Sequence, residues 1–417
     1  MRTILLITEQ YPFGQVAETF LANELPFLSA HFDVAVLPTN FVAQMPQRPV
    51  PDGVRVIVPK IPHRTRLGRQ FNGLFGIPRM FRYLSKLEVR AVIANPKRLF
   101  WCLDAISQVL DVQAAIHRVL EDESIAIIYS YWFNDAVTAA LRERYSRGGA
   151  YAVVSRAHGY DIFKERHGGV FPFRDWAMTK VDCVFPISLD GQRVITDSYP
   201  EAECKVILCR LGTMDHGIAV CPNRNTCNSG PRPLRLVSLS SIASVKRLDL
   251  IIDALAELEL MTTGDITWTH IGNGTLLEDM RIRAQNKLRR VVWSFVGYMP
   301  NSAAIQFLLR EAPDFLLSTS DSEGIPVSMM EAISLGIPVV ARPVGGVREI
   351  VIENVTGFFT QESPTPSQVA ATILQAASLP SDEAVLLRQS TRRYWEENYQ
   401  AQARVQEFAE DLERLLA

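Results

Sequence analysis

The chain has 417 residues, with 43 Lys and Arg against 45 Asp and Glu, and 47% of it is apolar. That length and composition fit two globular domains with sizeable cores, and the near-neutral charge argues against a nucleic-acid partner. No run of 18 consecutive apolar residues occurs, so no transmembrane helix is expected, and the six cysteines form neither a C-x-x-C pair nor a disulfide framework.

Residues 3–8, TILLIT, read as a first strand. The apolar stretch there is too short for a secretory signal, so a cytoplasmic chain with free thiols is expected. The strand runs into Glu9-Gln10-Tyr11-Pro12-Phe13-Gly14-Gln15, then a helix over about 17–29. Gly14 reads equally as a turn glycine or as a point where backbone approaches a ligand. Glu24 reads as a solvated helix residue. Residues 34–37 and 54–58 read as further strands.

From Lys60 to Arg98 the chain is basic, with Glu88 the one acid. Phe71, Leu74, Phe75, Phe81, Tyr83, Phe100 and Trp101 interleave with the cations. Such a segment is either a solvated cationic face over a packed stripe or a surface for anionic membranes. A strand over 125–129 precedes a helix from Asp135, and a strand over 151–156 delivers His158, Gly159 and Asp161 at its carboxyl end, where parallel sheets bind ligands. Arg156, Arg166, His167 and Arg174 make that neighbourhood cationic, which suits a phosphate-bearing ligand. Residues 184–187 and 206–208 close the first half, and the polar stretch CPNRNTCNSGPRP, 221–233, reads as the domain boundary. Cys221, Cys227 and His216 lack the close ligand pairs of a zinc site.

The second half repeats the pattern. A strand over 234–239 leads to Lys246 and Arg247 at the start of a helix over 248–258. Cations there cost about 0.3–1 kcal/mol unless an anion offsets them. A strand over 266–271 enters Gly272-Asn273-Gly274, and further elements follow at 291–296 and 301–309. A buried strand, 315–318, then precedes DSEGIPVSMMEAISLGIPVVA, residues 321–341. Pro326 suits the first position of a helix and Gly336 its end. Glu331 stands among apolar residues, where an ionised carboxylate needs either a basic partner or a hydroxyl-rich ligand. Glu323 sits at the mouth of the same helix. Gly345 and Gly346, a strand at 357–359 and helices near 367–378, 383–398 and 401–416 complete the chain. The twice-repeated βα alternation, with a polar linker between, predicts two doubly wound domains facing a cleft.

The run E-G-I-P-V-S-M-M-E, followed by G-I-P-V-V and Gly345-Gly346, resembles the signature of retaining glycosyltransferases of family GT4, which have the GT-B fold. The segments YPFG, ETF and NELPFLS resemble a subgroup that builds bacterial surface polysaccharides. The resemblance implies an α/β protein of two Rossmann-like domains about a central cleft. Residues 1–220 would bind the acceptor, with a final helix of about 398–417 packing back on them, and residues 232–397 would bind the nucleotide-sugar. It implies that Glu323 and His158 act beside the donor sugar and that Glu331 holds the ribose hydroxyls. Lys246, with Arg247, would hold the diphosphate. Gly14, Gly272, Gly274, Gly324, Pro326 and Val327 would bring backbone to the donor. Glu18 and Asp161 are the candidates for acceptor contact.

The family works without a bound metal, so none is expected, and the only cofactor-like molecule is the UDP- or GDP-sugar co-substrate. The acceptor would be a glycan or lipid-linked saccharide, with a cytoplasmic station, peripheral on the membrane through residues 60–101. Many members carry a donor-binding arginine where this chain has Ser241. A nucleotide-sugar 2-epimerase and a catalytically silent sugar-nucleotide-binding subunit stay open as alternatives.

Overall fold

Along β1 (Thr3–Thr8), Leu5 and Ile7 enter one apolar core while Ile4 and Leu6 enter another. A strand buried on both faces needs helices on both sides, the arrangement of parallel α/β sheets. A computed structural model describes residues 1–14, 18–40, 45–163, 170–220 and 233–417, and it divides into two units. One comprises Met1–Leu211 with Gln402–Ala417, the other Gly212–Ala401. The expected boundaries lay at 220, 232 and 397; of the expected linker, 221–232 falls outside the described residues.

In the first unit, β1 is followed by α1 (Leu21–Leu28), β2 (Asp33–Pro38), β3 (Arg55–Val56), α2 (Arg66–Met80), α3 (Lys86–Ala94) and α4 (Pro96–Asp122). Then come β4 (Ile127–Ser130), α5 (Asp135–Arg147), β5 (Ala152–Ala157), α6 (Gly159–Ile162), α7 (Arg174–Lys180), β6 (Cys183–Pro186) and α8 (Leu189–Ser198). The strands form one parallel sheet in the order β3-β2-β1-β4-β5-β6. The region expected to end in a strand at 206–208 keeps only an isolated bridge, Val184 to Val206. By length and composition α4 is long and apolar enough to cross a membrane, against the expectation from the sequence, yet half of that window is buried. Ile106, Val109, Ile116 and Val119 place it in the core beneath the sheet.

The second unit runs β7 (Leu234–Leu239), α9 (Leu248–Met261), β8 (Ile266–Ile271), α10 (Leu277–Lys287), β9 (Val292–Gly297), α11 (Asn301–Glu311) and β10 (Phe315–Ser318). It continues with α12 (Val327–Ser334), β11 (Val339–Ala341), α13 (Val347–Ile350), β12 (Gly357–Phe359), α14 (Pro366–Ala377) and α15 (Ser381–Asn398). Its parallel sheet has the order β12-β11-β10-β7-β8-β9. The last helix, α16 (Ala401–Arg414), returns to the first unit. Its Val405, Phe408, Ala409 and Leu412 recur at helical spacing and share a core with Ile4, Leu6 and Tyr129.

Candidate active site

In the second unit the strand order reverses beside β7, with β8 on one side and β10 on the other. Loops leaving the carboxyl ends of two such strands diverge and open a ligand crevice. The loop after β7 supplies Lys246 and the loop after β10 supplies Glu323, and Nζ lies 2.7 Å from Oε1. Arg247, in the left-handed region at φ +49°, caps α9. Its guanidinium pairs with Asp249 at 3.1 Å and Asp321 at 3.5 Å. The anions that offset these cations are therefore side chains of the protein itself. Ser241, where the family arginine is expected, is exposed, and Arg247 is already engaged on two carboxylates.

Pro326 is the cap of α12 rather than its first residue, so the helix begins at Val327 and its first N–H groups have no acceptor within the helix. Glu331, one turn further, is 7% exposed. The Asn301 amide donates to its Oε1. Burial pushes the carboxyl up to about 7, against the lowering effect of that bond. Among the described residues no Arg or Lys reaches it, so the basic partner that burial suggested is replaced by a neutral amide.

The glycines hold these loops together. A Cβ on Gly346 would sit 2.0 Å from the Gly324 carbonyl oxygen, and one on Gly345 2.2 Å from that of Glu323. The Glu323 turn is thus pressed on the start of α13. Gly272, at φ +145°, and Gly274 likewise leave room for the carbonyls of Ser240 and Ile242, at 1.8 and 2.2 Å from their hypothetical Cβ atoms. The backbone after β7 fills the space that a side chain at either glycine would need.

The first unit has its own reversal, between β1 and β4. Gly14, at φ +74°, lies in the loop leaving β1 and donates its N–H to Pro46. Glu18, at φ +54° and 6% exposed, closes that loop. Its carboxylate accepts from the N–H groups of Glu9, Gln10 and Tyr11 at 2.7–3.0 Å and from the Trp132 indole at 2.8 Å. Four donors on one carboxylate make it an organiser of the loop. Asp161 accepts from the backbone N–H of Phe133 at 2.7 Å and of His158 at 2.5 Å, tying the end of β5 to that of β4.

His158 is buried with its ring 4.6 Å from that of Tyr131 and 4.5 Å from that of Trp132. Its Nδ1 lies 3.8 Å from the Asp161 carboxylate, and among the described residues neither ring nitrogen makes a hydrogen bond. Two further expectations are corrected. Glu24 is buried, not solvated: it pairs with Arg156 at 2.8 Å and accepts from the Tyr129 hydroxyl at 2.9 Å. Arg156 is therefore committed to the core, and Arg174 is buried against Phe133 with Nη2 on the Asp161 carbonyl at 2.9 Å. Arg166 and His167 lie outside the described residues, as do Cys221 and Cys227.

A cavity of about 460 Å³ opens here, lined among others by Glu9, Trp101, Trp132, Tyr160, Asp161 and Arg174. Burial, with the neighbouring Glu18 charge, pushes Glu9 up to about 7, and burial does the same to Asp135 on its wall. Glu9 and Asn301 escaped the sequence reading. The signal for Glu9 was available, a carboxylate directly after the first strand at the sheet edge. Nothing local announced Asn301, which meets Glu331 across thirty residues of chain.

Residues 223–401 match the family model described as glycosyl transferases group 1. The chain is 32% identical over 268 residues to the amylovoran biosynthesis glycosyltransferase AmsK of Erwinia amylovora. That match covers 62% of this chain and 63% of the relative, less than two thirds of its length. Among solved structures, the lipopolysaccharide outer core galactosyltransferase WaaB is similar with a TM-score of 0.67 at 16% identity, covering 97% of this chain and 98% of that one. Anabaena Alr3699/HepE in complex with UDP-glucose gives a TM-score of 0.65 at 16% identity, covering 99% of this chain and 100% of that one. Two parallel six-stranded sheets with this likeness make the fold GT-B.

Proposed function

We propose that this chain is a glycosyltransferase of exopolysaccharide biosynthesis. It moves a sugar from a UDP- or GDP-sugar to a hydroxyl of a glycan or lipid-linked saccharide. The observation that carries the reading is the Lys246–Glu323 contact at the β7/β10 reversal, inside the matched domain. Each partner has a second use there. On donor binding Lys246 exchanges Glu323 for the diphosphate, and Glu323, released, accepts from hydroxyls of the donor sugar. Glu331, once ionised, accepts from the ribose diol.

The amide groups opening α12 at Val327 favour the donor's negative charge, and Gly14, Gly272, Gly274, Gly324 and Pro326 are its candidate backbone contacts. The acceptor hydroxyl attacks the anomeric carbon on the face the diphosphate leaves, so configuration is retained. The carbon–oxygen bond to the diphosphate breaks, the bond to the acceptor oxygen forms, and the hydroxyl proton passes to the departing diphosphate. Lys246 stabilises the charge developing there, a contribution of several kcal/mol in comparable sites, about 2.7–4 for a single donor. His158 offers a ring nitrogen to the donor sugar. The second unit is the donor domain in this reading and the first, with its aromatic and carboxylate-lined cavity, the acceptor domain. A nucleotide-sugar donor implies action on the cytoplasmic side.

Radiolabelled UDP- and GDP-sugars incubated with and without membrane lipid extract test the proposal. Transfer to lipid, with retention and unchanged by chelator, is expected. Interconversion of the free sugar nucleotide, or binding with no turnover, defeats it.

A further inference from the structure

The outer side of the first unit between residues 60 and 101 inverts the usual order of a surface helix. On α2 the buried positions are Gly73, Gly76 and Met80, while Leu67, Phe71, Leu74 and Phe75 face solvent. The exposed set follows the i, i+4, i+7, i+8 spacing of a single helix face, and Phe71 and Phe75 stand with ring centroids 5.6 Å apart. The glycines make the arrangement irreversible. A Cβ on Gly73 would lie 2.0 Å from the Leu103 carbonyl oxygen of α4, and one on Gly76 2.4 Å from Ile106. The inner face therefore has no room for phenylalanine, and α2 cannot roll over to bury its large side chains. On α3, Leu87 and Ile93 are 71% and 76% exposed, and Phe100 continues the apolar surface at the start of α4.

The charge on this surface has one sign. Arg66, Arg79, Arg82, Lys86, Arg90 and Lys97 are exposed, and the only acid in the segment, Glu88, is buried, its carboxylate accepting from the Ser85 N–H at 2.7 Å to cap α3. Among the described residues, Arg66, Arg79, Arg90 and Lys97 form no ion pair. Large apolar side chains ringed by unpaired cations are the chemistry of a surface that sits at the boundary of an anionic bilayer. A second copy of the chain fits poorly, because an isologous contact would set like charges against each other.

We propose that the outer faces of α2, α3 and the first turn of α4 dock this unit on an anionic phospholipid surface. Phe71 and Phe75 enter the acyl boundary and Arg79 and Arg90 meet phosphate head groups. Trp101, itself exposed, borders this face and also lines the 460 Å³ cavity. Resting on the proposed function, a lipid-linked acceptor then reaches the cavity from the bilayer side.

The test is co-sedimentation of the full chain with phosphatidylcholine vesicles, with and without phosphatidylglycerol, at low and high salt. Binding to the anionic vesicles alone, weakened by salt, is expected. Arg79→Gln with Arg90→Gln should weaken it about thirtyfold at low salt, at roughly 1 kcal/mol per cation. Phe71→Ser with Phe75→Ser should abolish it, with thermal melting unchanged because both rings are exposed. Equal sedimentation with neutral and anionic vesicles overturns the proposal. So does wild-type binding by the Phe71/Phe75 variant, or a wild-type dimer that this variant splits. None of these readouts depends on turnover, so docking and sugar transfer can fail separately.

Discussion

Carboxylates at the two strand-order reversals differ in how many protein donors they hold. In the first unit Glu18 takes four and Asp161 two, while Glu24 is locked to Arg156 and Tyr129. In the second, Glu323 takes one lysine and Glu331 one amide. An ionised carboxylate has about four lone-pair directions to fill. When the chain fills them, the residue organises the chain; on the proposed function, a carboxylate that holds one accepts from hydroxyls of the donor. By that measure the first unit's available acid is Glu9, whose carboxylate among the described residues meets only the Asn134 amide, at 3.3 Å.

The sharpest way to break this comparison is to remove one residue of each kind. Lys246→Ala should lower kcat/KM by about 10²–10³ while the melting temperature holds, since a single developing-charge donor is worth that much. Glu18→Gln should do the reverse in kind. It weakens charge-assisted bonds to three loop amides and an indole, so unfolding of its unit in urea should come about 3 kcal/mol easier. If Glu18→Gln melts like wild type, the division into organising and available carboxylates is wrong.

Two smaller effects sharpen it. Glu331 is raised by burial to about 7, so UDP affinity by calorimetry should rise roughly tenfold between about pH 6 and about pH 8, as the carboxylate ionises. Its stability contribution runs the other way. The folded state holds the proton more tightly than the unfolded chain, so this contribution is full below the ordinary carboxyl value of 4.5 and is lost as pH rises through about 7. Glu331→Gln should flatten both profiles; an unchanged UDP profile in that variant removes Glu331 from the nucleotide site. Smallest is Asn301→Ala. It deletes the one bond that lowers the Glu331 carboxyl, so the midpoint of the UDP profile should move upward and affinity near neutrality fall about threefold.

What could be read in advance shows where such reasoning stops. The buried strands and their alternation with helices pointed to two parallel sheets, with one strand too many at 206–208, but gave no helix between residues 60 and 122, where α2, α3 and α4 lie. The Glu323 turn, Glu331 and Lys246 were legible because a strand, a tight turn and a helix start are local events, marked by Pro326, Gly324 and a misplaced cation. Glu24 was misread because a glutamate on a helix is normally solvated, even among the apolar residues of α1. Arg156, more than a hundred residues away on β5, makes it a buried ion pair.

Amino-acid order by itself determined the period of each element, its caps and the chemistry each loop carries, because those depend on neighbours within a few residues. Tertiary packing alone decided which acids are saturated and which face of α2 meets solvent. A hydrogen-bond inventory, or the 2.0 Å clearance at Gly73, exists only once distant segments are brought into van der Waals contact.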